Sequence, residues 1–314
     1  MSRAVPDTKL HPVYQGPEYL AAVADGAFDP LVHSDPYRPT RLYRFVFGLM
    51  RLLLPRLFRF RVIGLENVPR PPFIIASNHQ TWYDTLFIVA AFPRIPMIYT
   101  MARRDTVFNR SWKRRLIPKF GVFPIMPNPG VPAKSKISWG GNPGVPAKSK
   151  ISWGGNLGEL DQRGVATVYQ VLARRGVVLI FPEGRYSRGR RLRPLKKGVA
   201  HFALQAGVPI CPVALSGLDP LRPFARVEVS IGPPIWPDPP AWWSAARRVQ
   251  RMVDRVQRAI QRAFGRGSEE RRTWRSRMGS VPGRLLARLR HPLRRRSSLA
   301  VMAVDEPLHP RNLR

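Results

Sequence analysis

The sequence predicts a single α/β domain, a mostly parallel or mixed sheet flanked by helices, with an amphipathic helix towards each terminus. Three observations carry that expectation. Short apolar, β-branched runs such as Phe73 to Ser77 and Val177 to Ile180 read as buried strands. Segments of helical spacing alternate with them. A chain of 314 residues with 44% hydrophobic content can also fill one good-sized core.

Taken in order, residues 1–40 are rich in Pro, Tyr, Asp and Gly. They lack the basic start, apolar core and small-residue cleavage site of a secretion signal, and are expected to form a loose or partner-dependent arm. Across residues 41–60, Leu42, Phe45, Val46, Leu49, Met50, Leu53 and Leu54 fall at helical spacing among Arg41, Arg44, Arg51, Arg56 and Arg59. A spanning helix needs about 20 mostly apolar residues, and Arg51 and Pro55 interrupt this one. It suits either the headgroup layer of an anionic membrane or a groove on its own domain, and the sequence leaves both open.

The main domain is expected over residues 61–264. Its strand Phe73 to Ser77 leads into a helix at Thr85 to Ala91. A strand at Ile98 to Met101, a basic helical stretch from Arg103 to Lys119 and a strand at Gly121 to Ile125 follow. The segment Asn128 to Gly141 is then repeated unchanged at Asn142 to Gly155. Its prolines and glycines break regular structure, and two copies are too few for a solenoid, so 128–155 reads as an inserted surface loop. A membrane-dipping loop using Trp139 and Trp153 is the functional alternative. Helical spacing from Leu157 to Arg175 precedes the strand Val177 to Ile180. A helix from Lys196 to Ala206 is stopped by Gly207, and Ile210 to Leu215 is a strand. Val227 to Ile231 alternates and suits a sheet edge. Trp242 to Phe264 is the second cationic amphipathic helix, with Val249, Val253, Val256 and Ile260 on one face. Residues 265–314 read as a mostly disordered basic tail able to grip anionic lipid.

Lys and Arg number 53 against 19 acidic residues, a formal net charge of +34. That imbalance calls for an anionic partner (membrane headgroups, a phosphate-rich substrate or nucleic acid) and does not choose among them. Cys211 is the single cysteine, so no intrachain disulfide forms, which suits a reducing compartment; its place between Ile210 and Pro212 argues for packing over reactivity. The sequence holds no phosphate loop, no nucleophile elbow and no Cys/His cluster fit for zinc, so no metal or nucleotide cofactor is expected.

Two motifs carry chemistry. Asn78-His79-Gln80-Thr81-Trp82-Tyr83-Asp84 puts an imidazole and a carboxylate five residues apart at a strand-to-helix turn. On one continuous helix that spacing would turn the pair apart, whereas a turn folds the carboxylate back. An imidazole held by a carboxylate can take a proton from a hydroxyl. Phe181-Pro182-Glu183-Gly184-Arg185-Tyr186-Ser187-Arg188 also follows a strand directly. In α/β sheets ligands collect at the carboxyl ends of strands, so both motifs point at one crevice.

These blocks, followed by Val208-Pro209-Ile210-Cys211-Pro212-Val213, resemble the lysophosphatidate acyltransferase-like (PlsC-type) glycerolipid acyltransferases. The first resembles that family's N-H-x-x-x-x-D block, the second its F-P-E-G-x-x-S block and the third its V-P-I-x-P-V strand, over about Arg61 to Pro234. The resemblance implies transfer of a fatty acyl group from acyl-CoA or acyl carrier protein to a lyso-lipid hydroxyl, 1-acylglycerol-3-phosphate first among acceptors. It implies His79 as general base with Asp84 behind it, and Asn78, Glu183, Gly184 and Ser187 in substrate binding. Another lyso-lipid, a lyso-aminolipid among them, would use the same base. A water-using esterase and a non-enzymatic basic membrane-binding protein remain the rivals.

The sequence departs from the family twice. Arg185 and Tyr186 stand where Thr and Arg are usual, and Gly121 to Met126 runs into Pro127-Asn128-Pro129 where an Arg is usual. A phosphate-bearing acceptor needs a cation near Gly184, and Arg185, then Arg188, are the candidates. The protein is expected on the cytoplasmic face of the inner membrane, held peripherally by anionic lipid, with no specific nucleic acid partner.

Overall fold

The computed structural model describes residues 16–24, 35–125, 162–187, 192–238 and 244–279, the last of these as helical backbone alone beyond 264. The tandem repeat, Arg188, Trp242 and the tail beyond 279 lie outside the described residues.

Helix α1 (Pro17–Ala24) packs on the domain rather than standing loose: Tyr19 is buried edge-on to Tyr169, and the Gly16 N–H donates to the Gln205 carbonyl at 2.8 Å. Helix α2 (Arg41–Leu57) starts at Thr40, whose hydroxyl accepts the Tyr43 N–H at 3.1 Å and so satisfies one of the first turn's orphan donors. It runs through Pro55 and ends at Leu57, short of the boundary expected at Phe60. Phe58 turns extended, and Phe58 and Phe60 both pack edge-on to Phe87, which draws the chain into strand β1 (Arg59–Ile63).

Strand β2 (Phe73–Ser77) feeds helix α3 (Asp84–Ala91), as expected. Strand β3 (Ile98–Arg103) claims the first residue of the basic stretch. The remainder splits into α4 (Arg104–Val107), α5 (Ser111–Leu116) and a 3₁₀ turn at Ile117–Phe120, because the chain must turn back to lay strand β4 (Val122–Ile125) beside β3. Then come α6 (Gln162–Ala173), β5 (Val177–Ile180) and α7 (Gly198–Ala206). Gly207 closes α7 in the left-handed conformation at φ 67°, the C-cap role expected of it. Strand β6 (Ile210–Ser216), β7 (Arg226–Ile231) and α8 (Ala245–Gly279) complete the chain. The α8 backbone extends beyond the Phe264 boundary.

The seven strands form one sheet in the order β1-β7-β6-β2-β5-β3-β4. Among the described strands only β6 and β7 pair antiparallel, so the sheet is mixed with a parallel centre. Strand β7 is interior, not an edge: β1 covers it, with Arg59 and Arg61 exposed, and Val227 to Ile231 is wholly buried.

Both faces of the sheet are covered, which explains why its central strands are apolar throughout. In β2, Ile74 and Ala76 join one core layer with α6, α7 and the inner face of α8, while Phe73 and Ile75 join the other with α3. Val178 and Ile180 repeat that alternation against Val177 and Leu179. Met252, Val253, Val256, Ile260 and Ala263 anchor α8. Cys211 is fully buried in the second layer, its thiol pushed far up by desolvation, which suits packing.

Candidate active site

Strands β2 and β5 are parallel neighbours, with Ala76 opposite Ile180, so the residues that leave their carboxyl ends arrive side by side. This register brings the two motifs together. After Ser77 the chain turns, and Asp84, the first residue of α3, reaches back beneath the turn. Its Oδ2 takes the Gln80 N–H at 2.6 Å and the Thr81 N–H at 2.9 Å, and its Oδ1 takes the Thr81 hydroxyl at 2.6 Å. These donors fix a fully buried carboxylate, and His79 Nδ1 lies 2.8 Å from Oδ2. A carboxylate surrounded by donors acts there as acceptor, which puts the proton on Nδ1 and leaves Nε2 as the basic nitrogen.

The second motif grips His79 by its backbone. Glu183 Oε1 accepts the His79 N–H at 2.8 Å, and Oε2 accepts the Arg193 N–H at 2.9 Å. The Ser187 N–H donates to the His79 carbonyl at 2.6 Å, with the Ser187 hydroxyl on the same oxygen at 3.2 Å. The imidazole ring stacks on Phe181, centroids 3.9 Å apart and planes 16° from parallel, and meets Tyr186 from another side at 4.4 Å. Desolvation, and secondarily the Asp84 charge, raise the Tyr186 hydroxyl above its ordinary value, so it stays protonated.

Several expected binding residues have different partners. The Asn78 amide donates to the Leu215 carbonyl at 2.9 Å and accepts the Leu215 N–H at 2.7 Å, tying the end of β2 to β6 in the interior. Glu183 and Ser187 likewise bond to backbone and are both buried, and through those bonds they hold the main chain of His79. Gly184 has φ +67°, a left-handed conformation that favours glycine, and a Cβ there would stand 2.6 Å from Lys196 Nζ and displace that side chain.

Lys196 and Arg103 escaped the sequence reading. Burial, then the charges of Arg103 and Arg185, push the Lys196 ammonium below its ordinary value. Three cations thus crowd one side of Gly184 at the ends of β3 and β5. The Lys196-Lys197-Gly198 run was a signal, but its distance from Gly184 in sequence hid it; the Lys196 N–H donating to the Pro182 carbonyl at 2.8 Å brings it back. Arg185 is exposed and belongs to this group, whereas Arg188 lies outside the described residues. A cavity of about 740 Å³ opens beside Gln80, Tyr186, Ser187, Arg193 and Asp219, within the range of small-molecule sites, about 300–1,000 Å³. Among the described residues no three His, Cys, Asp or Glu side chains cluster to hold a metal ion.

The family model described as Acyltransferase matches residues 59–216, half of the chain, from β1 to the end of β6. The chain belongs to the acyltransferase family. This acyltransferase chain is 25% identical over 171 residues to a 1-acyl-sn-glycerol-3-phosphate acyltransferase of Pseudomonas aeruginosa, covering 54% of each protein. A chloroplastic 1-acyl-sn-glycerol-3-phosphate acyltransferase of Brassica napus is 29% identical over 172 residues, 53% of this chain and 40% of that protein. The chain thus spans about half or less of the length of these relatives. The crystal structure of a 1-acyl-sn-glycerophosphate acyltransferase, PlsC, from Thermotoga maritima aligns over 70% of this chain and 79% of that one, at 18% identity and a TM-score of 0.45.

Proposed function

We propose that this acyltransferase moves a fatty acyl group from a thioester, acyl-CoA or acyl carrier protein, to the hydroxyl of a lysophospholipid, with 1-acylglycerol-3-phosphate as the first acceptor. The observation that carries this reading is His79 Nδ1 at 2.8 Å from the buried Asp84 carboxylate. Nε2 removes the proton of the acceptor hydroxyl as its oxygen attacks the thioester carbonyl. Asp84 supports the imidazolium that forms. Collapse of the tetrahedral intermediate expels the thiolate, which takes the proton back from His79, so ester and thiol leave with protons balanced and no acyl-enzyme. Stacking on Phe181 and the backbone grip of Glu183 and Ser187 keep the imidazole aimed.

The acceptor phosphate meets Lys196, Arg103 and Arg185 in this reading, because a dianion entering a part-dry crevice is stabilised by charge-assisted hydrogen bonds. Docking is peripheral, on the anionic inner face of the cytoplasmic membrane. Phe45, Leu49 and Leu52 form an exposed apolar stripe along α2 while Tyr43, Phe47 and Leu54 pack inward, so the helix has one face for the domain and one for lipid. Arg41, Arg44, Arg51 and Arg56 on the same helix supply attraction to anionic headgroups. Among the described residues no helix is long and apolar enough to cross a membrane.

The test is mass spectrometry of lipids after incubating purified protein with acyl-CoA, or acyl carrier protein loaded with a fatty acid, and a panel of lyso-lipids. Acylated 1-acylglycerol-3-phosphate is the expected product. A different acylated lyso-lipid would move the acceptor, and thioester loss without any lipid product would make the chain a hydrolase.

A further inference from the structure

A second concave basic site lies away from His79. After β7 the chain runs back beside the start of β6: the Gly232 N–H donates to the Pro212 carbonyl at 2.8 Å, and Ile235 pairs with Ile210 in an antiparallel bridge. Ile210 stands level with Ile74 at the beginning of β2, whereas His79 follows Ser77 at its far end. Between this returning segment and α8 is a cavity of about 330 Å³. Gly232, Pro233 and Pro234 wall one side. Arg255, Arg258 and Arg262 line the other, with Ala259 and Ala263 between them.

The charges there do not balance. Arg255 is accounted for, since its Nη1 binds Asp238 Oδ1 at 2.9 Å and the Trp236 carbonyl at 3.2 Å, and Arg251 leans on the same carboxylate at 3.7 Å. Arg258 and Arg262 sit four residues apart on one helix face, and among the described residues neither meets a carboxylate. Ala259 and Ala263 add little bulk to the lining, while Pro233 and Pro234 form a stiff wall without N–H donors.

We propose that this cavity binds a phosphate-bearing anion, held by forked contacts from Arg258 and Arg262 with Arg255 fixed at its rim by Asp238. Guanidinium geometry matches phosphate oxygens in pairs, and the volume falls at the small end of ligand sites, about 300–1,000 Å³. The same chemistry serves a soluble phosphorylated metabolite and a phospholipid headgroup.

Pyrophosphate titrated into the full chain by calorimetry, and vesicles of neutral lipid with and without phosphatidic acid, separate those sources. The double variant Arg258→Ala/Arg262→Ala is compared with Arg94→Ala/Arg247→Ala, which removes the same charge elsewhere, and with Ala259→Met, which fills the cavity and keeps the charge. Melting temperatures verify that each variant folds. The proposal expects pyrophosphate affinity to fall at least tenfold in the first and third variants and to hold in the charge-matched one. Loss confined to phosphatidic acid vesicles in those two variants would identify a headgroup as the ligand. Equal losses in the charge-matched variant, or no loss in the double variant with either probe, would overturn it.

Discussion

The backbone N–H of His79 donates to Glu183 Oε1 at 2.8 Å, across 104 positions of sequence. The second motif therefore holds the first by the main chain, and Glu183 acts on His79 without needing to touch the acceptor. Removing it should loosen the aim of the imidazole. Hydrogen bonds to a charged group contribute about 1.5–3 kcal/mol, so Glu183→Ala should lower kcat about ten- to a hundredfold with the acceptor KM nearly unchanged. A rise in acceptor KM at constant kcat would instead put the carboxylate on the substrate.

Tyr186 packs on the imidazole as a ring, and its hydroxyl stays protonated. Aromatic contacts of this kind contribute about 0.5–1.5 kcal/mol. Tyr186→Phe should then keep nearly full turnover, and Tyr186→Ala should lose roughly three- to tenfold in kcat. Loss in the Phe variant as large as in the Ala variant would assign the role to the hydroxyl.

Lys196 carries a lowered ammonium value through burial and the nearby Arg103 and Arg185. Its charge is complete at low pH and is lost at a lower pH than for an ordinary lysine, so acceptor KM should rise with pH in that window. An entering phosphate would favour the charged form and draw a proton in. Lys196→Arg, which stays charged, should flatten the rise, and Lys196→Ala should raise acceptor KM throughout while leaving the donor KM alone. A KM profile identical in wild type and Lys196→Arg would remove Lys196 from phosphate binding.

The exposed stripe of α2 should govern membrane docking. Leu49→Glu with Leu52→Glu should weaken sedimentation with anionic vesicles and leave melting nearly unchanged, because neither side chain is in the core. Added salt should weaken wild-type binding too, as the headgroup field fades within a Debye length, about 10 Å at 0.1 M. Tight binding to neutral vesicles at high salt would contradict this.

Much of the fold was legible because a strand buried on both faces reads as a continuous apolar run, as in Phe73–Ser77 and Val177–Ile180. Strand β1 was not legible: Arg59-Phe60-Arg61 continues a strong helical stripe, and only the aromatic contacts with Phe87 and the pairing with β7 pull it into the sheet. Its concealment also made β7 look like an edge. In the site, the pairing of His79 with the Asp84 carboxylate could be read from spacing at a turn. The partners of Asn78, Glu183 and Ser187 could not, since they bind main-chain atoms that every sequence possesses. Lys196 was hidden for a related reason, its approach to Gly184 resting on a main-chain bond from its own N–H to the Pro182 carbonyl.

The most direct measurement is turnover of acyl-CoA with 1-acylglycerol-3-phosphate by purified wild-type, His79→Ala and Asp84→Asn protein, with melting temperature as the folding control. General-base catalysis contributes about a hundred- to ten-thousand-fold, so His79→Ala should fall by at least a hundredfold and Asp84→Asn by most of that, both remaining folded. Near-normal transfer by folded His79→Ala would contradict the assignment of His79 as the base.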